Sequence, residues 1–563
     1  MKKPERIVLH AGEINSLKER LSVSNLEAHD KHLLTGILQF YVWLQWALQE
    51  TKLSVHRLRA LFGFKTEKRC HLSDELDEAE TPEGAQGTQP SDEFGQILSQ
   101  KLQSIKEEET LLQKQKEKKK GHGRLGHKDY PGAVVVNQEH EFLKPGDDCP
   151  KKCGGHLYSL KPKALVCLTG HALATATKYL LESLRCSRCG QVFTAKPKEG
   201  TLNRKYDEAL KANLAIAKNY GGMPFYRLEM LQKMVGVPLP HPTQWQLIES
   251  LADDIYPIYY ELERLAAQGQ LVSHDDTKVR ILDLMKENKE KAKKGEKDRT
   301  GMFTTAVVSQ VDQQTIYLFL SGRRHSGENM TNILSKRCPE LGSILRMADA
   351  LSSNLSVEFI TILCLCLAHG RRKFYEIYDY FPGECRVVID AFALIYHYDA
   401  IAKREQMNPE KRLEYHQENS GPILKVLKDW MIRKLERKET EPNSSLGKSF
   451  KYMLNHWEGL TRFLHVPGVI IDNNITERAL KIPIRSRKNS LFYKTEHGAF
   501  VGSMLTSIIH TCVMAQKNPV DYLITLQKNR RALFKSPKDW LPWTYKHTLN
   551  NQQSPLLSLR PAA

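Results

Sequence analysis

Several features are missing from this chain, and each absence narrows what it can be. No apolar run reaches the roughly 18 residues needed to cross a bilayer, and the start MKKPERIVLHAGEINS has neither an apolar leader core nor a small-residue cleavage site, so a soluble, unexported protein is expected. Cysteine is scarce: eleven residues in 563, an odd number, scattered except for two paired clusters. That usage suits a reducing compartment and excludes a disulfide framework. Acidic charge is in deficit, with 65 Asp and Glu against 83 Lys and Arg and a formal net charge of +18, which favours a polyanionic partner, nucleic acid first. A chain this long exceeds one compact core, so several domains are expected.

Residues 1–65 read as a helical segment for oligomerisation or DNA binding. From Leu34 the apolar positions Leu34, Ile37, Tyr41, Leu44, Leu48, Val55, Leu58 and Phe62 alternate steps of three and four, broken only by Thr51. This is a coiled-coil seam, with a helix packed on its own domain as the alternative. Residues 66–130 read as a charged linker, disordered or loosely helical, that switches sign along its length. Asp74 to Glu93 holds eight acidic and no basic residues, whereas KQKEKKKGHGRLGHK holds seven basic and one acidic. There Lys118, Lys119, Lys120 and Arg124 are candidates for phosphate contacts, or simply keep the linker solvated.

The paired cysteines fall in residues 131–200. Cys149 and Cys153 sit in CPKKCGG, and Cys186 and Cys189 in CSRCG, a spacing that predicts one structural Zn²⁺ on four thiolates. Cys167, His156 and His171 lie between the pairs as substitute ligands. A closed four-cysteine site leaves no open position for water, so catalysis is expected elsewhere.

Residues 201–270 read as helical. Within them YRLEMLQKMVGVPLPHPTQWQLIESL gives a helix, a Gly-Val-Pro turn and a second helix near Pro242, the spacing of a helix-turn-helix or of ordinary helix packing. From Leu271 the texture turns to strands: QLVSHDDTKVRIL, GMFTTAVVSQ and QTIYLFLSG, with a Lys-rich loop from Lys286 to Arg299, then a helix, then the apolar segments ILRMADAL and FITILCLCLAH. This order predicts a ribonuclease-H-like mixed α/β core over residues 271–515, interrupted by a helical insertion at about 370–465, within a multidomain α+β chain. A basic helix and tail at 516–563 complete it.

Such a core would carry metal-binding acids on its first strand, at the end of its fourth strand and on a later helix. Asp275 interrupts LVSHDDT, Asp349 ends ILRMAD and Glu477 starts the helix ERAL, and an acid in a buried strand is costly unless it meets a cation. Alternatives remain at each position. Asp276 could replace Asp275, since adjacent strand residues face opposite ways. Asp349 could be a turn residue, Glu477 a first-turn acid, and Asp472 and Asp298 are spare carboxylates.

At these residues the chain resembles the transposases of the insertion sequence 66 family. HDDT at His274 to Thr277 resembles the family's His-Ala-Asp-Glu-Thr strand, and RMAD its second acidic strand. CLAHGRRKFYEI from Cys366 resembles its Cys-Trp-Ala-His-Ala-Arg-Arg-Lys-Phe signature, while IDNNITERAL with RSRKNSLF resembles its Asp-Asn-x-x-Glu-Arg-Ala-Leu block. KGHGR and FYRLEM match as well. Departures are Asp276 in place of Glu, Leu367 in place of Trp, Ala350 in place of Gly, and a first Cys pair one residue wider. The resemblance implies a DDE-type enzyme in which Asp275, Asp349 and Glu477 bind two Mg²⁺, or Mn²⁺, to cut element ends and join them to target DNA. Arg371, Arg372, Lys373, Arg478, Arg485, Arg487 and Lys488 would neutralise DNA phosphates, or form a solvated basic face. The expected partners are double-stranded DNA, further copies of the chain and accessory proteins of the same element, in the bacterial cytoplasm at the nucleoid. An inactive, DNA-binding repressor and a hydrolysis-only nuclease are the competing readings.

Overall fold

The computed structural model describes residues 93–115, 142–148, 153–157, 173–185, 192–196, 205–296, 299–351 and 357–553, with Leu34, Val135, Pro150, Ser159 and Asn354. Its centre is a five-stranded mixed sheet formed by β3 (Leu271–Lys278), β4 (Phe303–Val311), β5 (Gln314–Gly322), β6 (Ile344–Ala348) and β7 (Thr361–Leu365), in the order β5-β4-β3-β6-β7. The first three strands run as an antiparallel meander, and β6 and β7 then lie parallel to β3. β1 (Ser183–Arg185) and β2 (Val192–Thr194) form a separate antiparallel hairpin on either side of the segment that holds Cys186 and Cys189.

β3 is the middle strand and both its faces are covered, so its first four residues are all buried. Val272 joins a core with Val307, Ile316 and Leu318 and with helices His241–Ala266, Ser326–Leu334 and Glu496–Met514. On the other face Leu271 packs with Leu345, Met347 and Leu365 against the helices that follow β7. Those helices are Leu367–Glu376, Pro382–Arg404, Pro409–Asn419, Gly421–Glu436 and Ser445–Asn455. Helix Asn474–Ser490 then returns the chain to the sheet, laying Ala479, Leu480 and Ile482 on Ala306, Val308, Tyr317 and Phe319.

Helix Glu496–Met514 corrects one expectation from the sequence. It is long and apolar enough by composition to cross a membrane, because Gly, Ser, Thr and His interrupt the apolar residues without charging the segment, and 72% of its most apolar window is buried. Its hydroxyls cover the outer edge of β5: Ser507 Oγ accepts from Phe319 N at 2.8 Å, and Thr511 Oγ1 accepts from Tyr317 N and donates to Tyr317 O, both at 3.1 Å. Capping an edge strand this way satisfies groups that would otherwise invite another strand.

Two charged segments are more ordered than their composition implied. The Lys-rich loop after β3 is largely helix, Leu282–Lys293, in which Glu287 bonds Lys291 one turn on at 2.7 Å and Arg323 at 2.8 Å. Within the charged linker lies the 23-residue helix Glu93–Gln115, docked on Pro382–Arg404 through buried Leu98 and a 2.7 Å bond from Ser99 Oγ to Asp390. The helix-turn-helix segment forms helices Phe225–Met234 and His241–Ala266. The second turns Leu247, Ile248, Leu251, Ile255, Ile258 and Leu262 into the core, and replacing Leu251 by Ala would cost about 2–5 kcal/mol there.

Candidate active site

The side-chain alternation of β3 and β6 decides which acids meet. Leu271 pairs with Leu345 and Ser273 with Met347, in parallel register. Continuing both strands by two residues brings Asp275 and Asp349 side by side on the face of Leu271 and Met347. Asp276 faces the other way. Its Oδ2 accepts from Ser326 N at 3.1 Å and lies 3.1 Å from His325 Nδ1, which fixes the start of helix Ser326–Leu334. His274 shares that opposite face, fully buried, 3.2 Å from Arg346 Nη1; burial, then the Arg346 charge, lowers its pKa to about 3, so it is neutral.

Asp349 is held just past the end of β6 by Asn354 Nδ2, and Asn354 Oδ1 in turn accepts from Ser326 Oγ at 2.6 Å. Glu477 comes from the first turn of helix Asn474–Ser490. The residue that caps this helix, Asn473, donates its side chain to His274 O at 3.1 Å and its backbone N–H to Cys366 Sγ at 3.2 Å, tying helix, β3 and the end of β7 together. Glu477 lies 3.7 Å from His369 Nδ1 through one oxygen and 3.7 Å from Arg372 Nη2 through the other.

Burial raises the Asp275 carboxyl to about 7, and the negative charges of Asp349, Asp276 and Glu477 push in the same direction. The Asp276 N–H, which bonds Asp275 Oδ1 at 2.8 Å, opposes the rise without cancelling it. Three carboxylates from three separate elements therefore act on one another in a partly buried site. Glu477 Oε1 and His369 Nδ1 are buried without a hydrogen-bond partner among the described residues. A divalent cation fits such a donor set, because it would offset the mutual repulsion and occupy the unmet oxygen. Cys366, His369 and Glu477 also bring ligand atoms within 4.8 Å of one another. Burial drives the Cys366 thiol up to about 12, however, so it offers a neutral sulfur suited to softer ions than those carboxylates select. Burial, chiefly, keeps His369 below its ordinary value against the pull of Glu477.

Asp472, a spare carboxylate in the sequence, accepts from Asn474 N at 3.1 Å and from Asn474 Nδ2 at 3.0 Å, and burial raises its pKa. Asp298 lies outside the described residues. The basic residues divide into several settings. Arg372 reaches Glu477, Lys373 Nζ sits 4.3 Å over the Tyr452 ring, and the Arg371 guanidinium is 5.9 Å from the Tyr375 ring. Arg478 places its charge near Tyr317 and Asp472. Arg485 donates to Tyr220 O at 2.7 Å, whereas Arg487 donates to Thr277 Oγ1 at 3.2 Å and to Lys278 O, so both brace backbone as well as carrying charge. Lys488 is exposed on the same helix.

Of the zinc candidates only Cys153 is described, and it is exposed. His156 pairs with Asp148 at 3.0 Å. Cys149, Cys186, Cys189, Cys167 and His171 lie outside the described residues, as do Lys118, Lys119, Lys120, Arg124 and, apart from Leu34, the coiled-coil seam. Sequence reasoning did not single out His369 or Asn354 as members of the acidic centre. The signal available for His369 was its position just past the apolar segment FITILCL; Asn354 carried none.

Fold and site thus define a mixed α/β protein with a partly buried acidic centre, flanked by basic side chains, at the ends of its middle strands. Residues 204–500 match the model of the Transposase IS66 family, and the chain belongs to that family. It is similar to three uncharacterized proteins of Sinorhizobium fredii: y4qI, 26% identical over 60% of this chain, y4jD, 29% identical over 33%, and y4hP, 28% identical over 32%. The matched segments span 62%, 36% and 35% of those relatives' own lengths, in the same order.

Proposed function

We propose that the chain is a DDE-type DNA transposase whose sheet is a ribonuclease-H-like core and whose catalytic acids are Asp275, Asp349 and Glu477. The observation that carries this reading is the partly buried Asp275 carboxyl, set beside Asp349 and raised to about 7 by burial and by the charges of Asp349, Asp276 and Glu477. Membership of a transposase family supplies the substrate class, DNA. Two Mg²⁺, or Mn²⁺, held by these three acids would polarise the scissile phosphodiester and stabilise the leaving oxygen.

The chain's own residues prepare the site for that chemistry. Burial lowers the His369 pKa beside Glu477, which favours the neutral ring there and leaves the carboxylate charge available to a cation. Arg372 holds the other Glu477 oxygen and extends toward solvent, placed to meet a DNA phosphate together with Arg371 and Lys373. Asp276 has a separate task, fixing the helix whose Ser326 orients Asn354 and through it Asp349. Around the core we assign Cys149, Cys153, Cys186 and Cys189 to one structural Zn²⁺ and the basic run at Lys118–Arg124 to phosphate contacts. The seam from Leu34 to Phe62 is assigned to self-association of copies on DNA. Accessory proteins of the same element remain compatible partners.

The test is direct. Full-length protein with Mg²⁺ and a labelled duplex carrying an end of its element, read from the DNA flanking its gene, should yield nicked and strand-joined products, and chelator should remove both. Binding without either product would leave the repressor reading, and nicking without joining the nuclease reading.

A further inference from the structure

The helix that carries Glu477 ends in an unusual tip. Leu491 has φ 66° and ψ −42°, and Phe492 N donates to Ser490 O at 2.8 Å across it. This is close to the strained form of the three-residue γ-turn, in a region that L side chains seldom enter. Both of its large apolar side chains face solvent, Leu491 59% and Phe492 46% exposed. The chain therefore accepts strain in order to hold apolar surface in water, an arrangement that points to a partner.

The tip is also anchored on both sides. Before it, Leu491 N bonds Arg487 O at 2.8 Å, and Arg487 is clamped to Thr277 and Lys278 at the end of β3. After it, Tyr493 N bonds Arg280 O at 2.8 Å and Tyr493 O accepts from Leu282 N at 2.9 Å. Its charge setting is one-sided, since the stretch from Arg478 to Lys494 holds six basic and no acidic residues. A rigid apolar point set in a positive surface complements stacked bases flanked by phosphates.

Resting on the reading that the chain acts on DNA, we propose that Leu491 and Phe492 form a wedge that enters the base stack of the duplex and unpairs it beside the cleavage site. The reach is suitable. Leu491 lies fourteen residues beyond Glu477 along one helix at ~1.5 Å each, so the tip stands roughly 20 Å from that acid, about six base-pair steps. Unstacking there lets the backbone bend toward the acidic centre, while phosphate contacts elsewhere carry the affinity.

The test uses full-length protein and element-end duplexes with 2-aminopurine at successive positions within about six base pairs of the cleaved bond, in chelator so that the DNA stays whole. Wild-type protein should raise the fluorescence at one or two positions at least threefold. A Leu491→Ser, Phe492→Ser double variant should bring it back to the free-DNA level while binding within about threefold as tightly, because both side chains are exposed and phosphates dominate affinity. With Mg²⁺ the variant should cleave at least tenfold more slowly on paired DNA and regain most of that rate on a duplex mismatched at the responsive position. Separately, Leu491→Gly should not lower the melting temperature, since glycine accepts this φ freely. Wild-type protein that binds and cleaves a fully stacked duplex, or a double variant that still unstacks it, overturns the wedge alone. A chain that does not bind the duplex overturns the DNA-acting reading, and the wedge with it.

Discussion

Asp275 and Asp399 are both aspartates withdrawn from water, and the molecule treats them in opposite ways. Asp399, in helix Pro382–Arg404, has a side chain only 2% exposed and is met by two cations, Arg412 Nη2 at 2.5 Å and Lys403 Nζ at 2.8 Å, with the His416 ring Nε2 at 3.4 Å. Burial alone would raise its pKa, but the His416 contact and the two positive charges more than offset this and hold it well below the ordinary carboxylate value. Asp275 meets Asp349 and Glu477 instead, and its pKa climbs to about 7. Burial sets the size of the electrostatic effect and the neighbours set its sign. An acid with its cations supplied by the chain is part of the scaffold; an acid gathered with other acids is prepared for a cation from outside.

Replacing each carboxylate by its uncharged amide keeps the shape and separates the two roles. Asp399→Asn should give the largest loss of stability, about 3 kcal/mol, because Arg412 and His416 would be left without their buried anion; calorimetry should show a melting temperature lower by about 5–10 °C. Asp275→Asn should do the reverse in metal-free protein at pH 8, raising stability by about 2 kcal/mol, because it removes a carboxylate that must ionise near two others. A loss of stability in both variants would mean that the acidic centre is itself a structural ion network.

A smaller effect lies in the pH dependence. A raised pKa means that the Asp275 contribution is fully present below the unfolded value near 4 and is lost as pH rises through about 7. A depressed pKa means that the Asp399 contribution is present above about 4 and is lost only as pH falls below that. The stability gap between wild type and Asp275→Asn should therefore open between pH 4 and 7, and saturating Mg²⁺ should narrow it. A gap that opens only below pH 4 would reverse the assignment.

How much of this was legible in the sequence follows from the same physics. The strands and the helical insertion were visible because apolar runs and helical spacing survive in any context. The choice between Asp275 and Asp276 was not, because a middle strand buried on both faces loses the alternation that normally reveals orientation, as Leu271 and Val272 show. Pairing with β6 and the start of helix Ser326–Leu334 separates the two acids, and both contacts are distant in sequence. Helices Glu93–Gln115 and Leu282–Lys293 were hidden by their charge, since what holds them, Ser99 on Asp390 and Arg323 on Glu287, comes from other elements. Asn354 and His369 joined the centre for the same reason.

The most direct measurement compares Asp275→Asn with Asp276→Asn in Mg²⁺-dependent cleavage and joining of labelled element ends, with binding measured at the same salt. Asp275→Asn should leave DNA affinity nearly unchanged and reduce both reactions by several orders of magnitude, as when several kcal/mol of electrostatic stabilisation leave a phosphoryl-transfer transition state. Asp276→Asn should stay within about tenfold of wild type, its cost falling on the helix that it caps. Joining activity that survives Asp275→Asn and disappears with Asp276→Asn would place the catalytic acid on the other face of β3 and contradict the account.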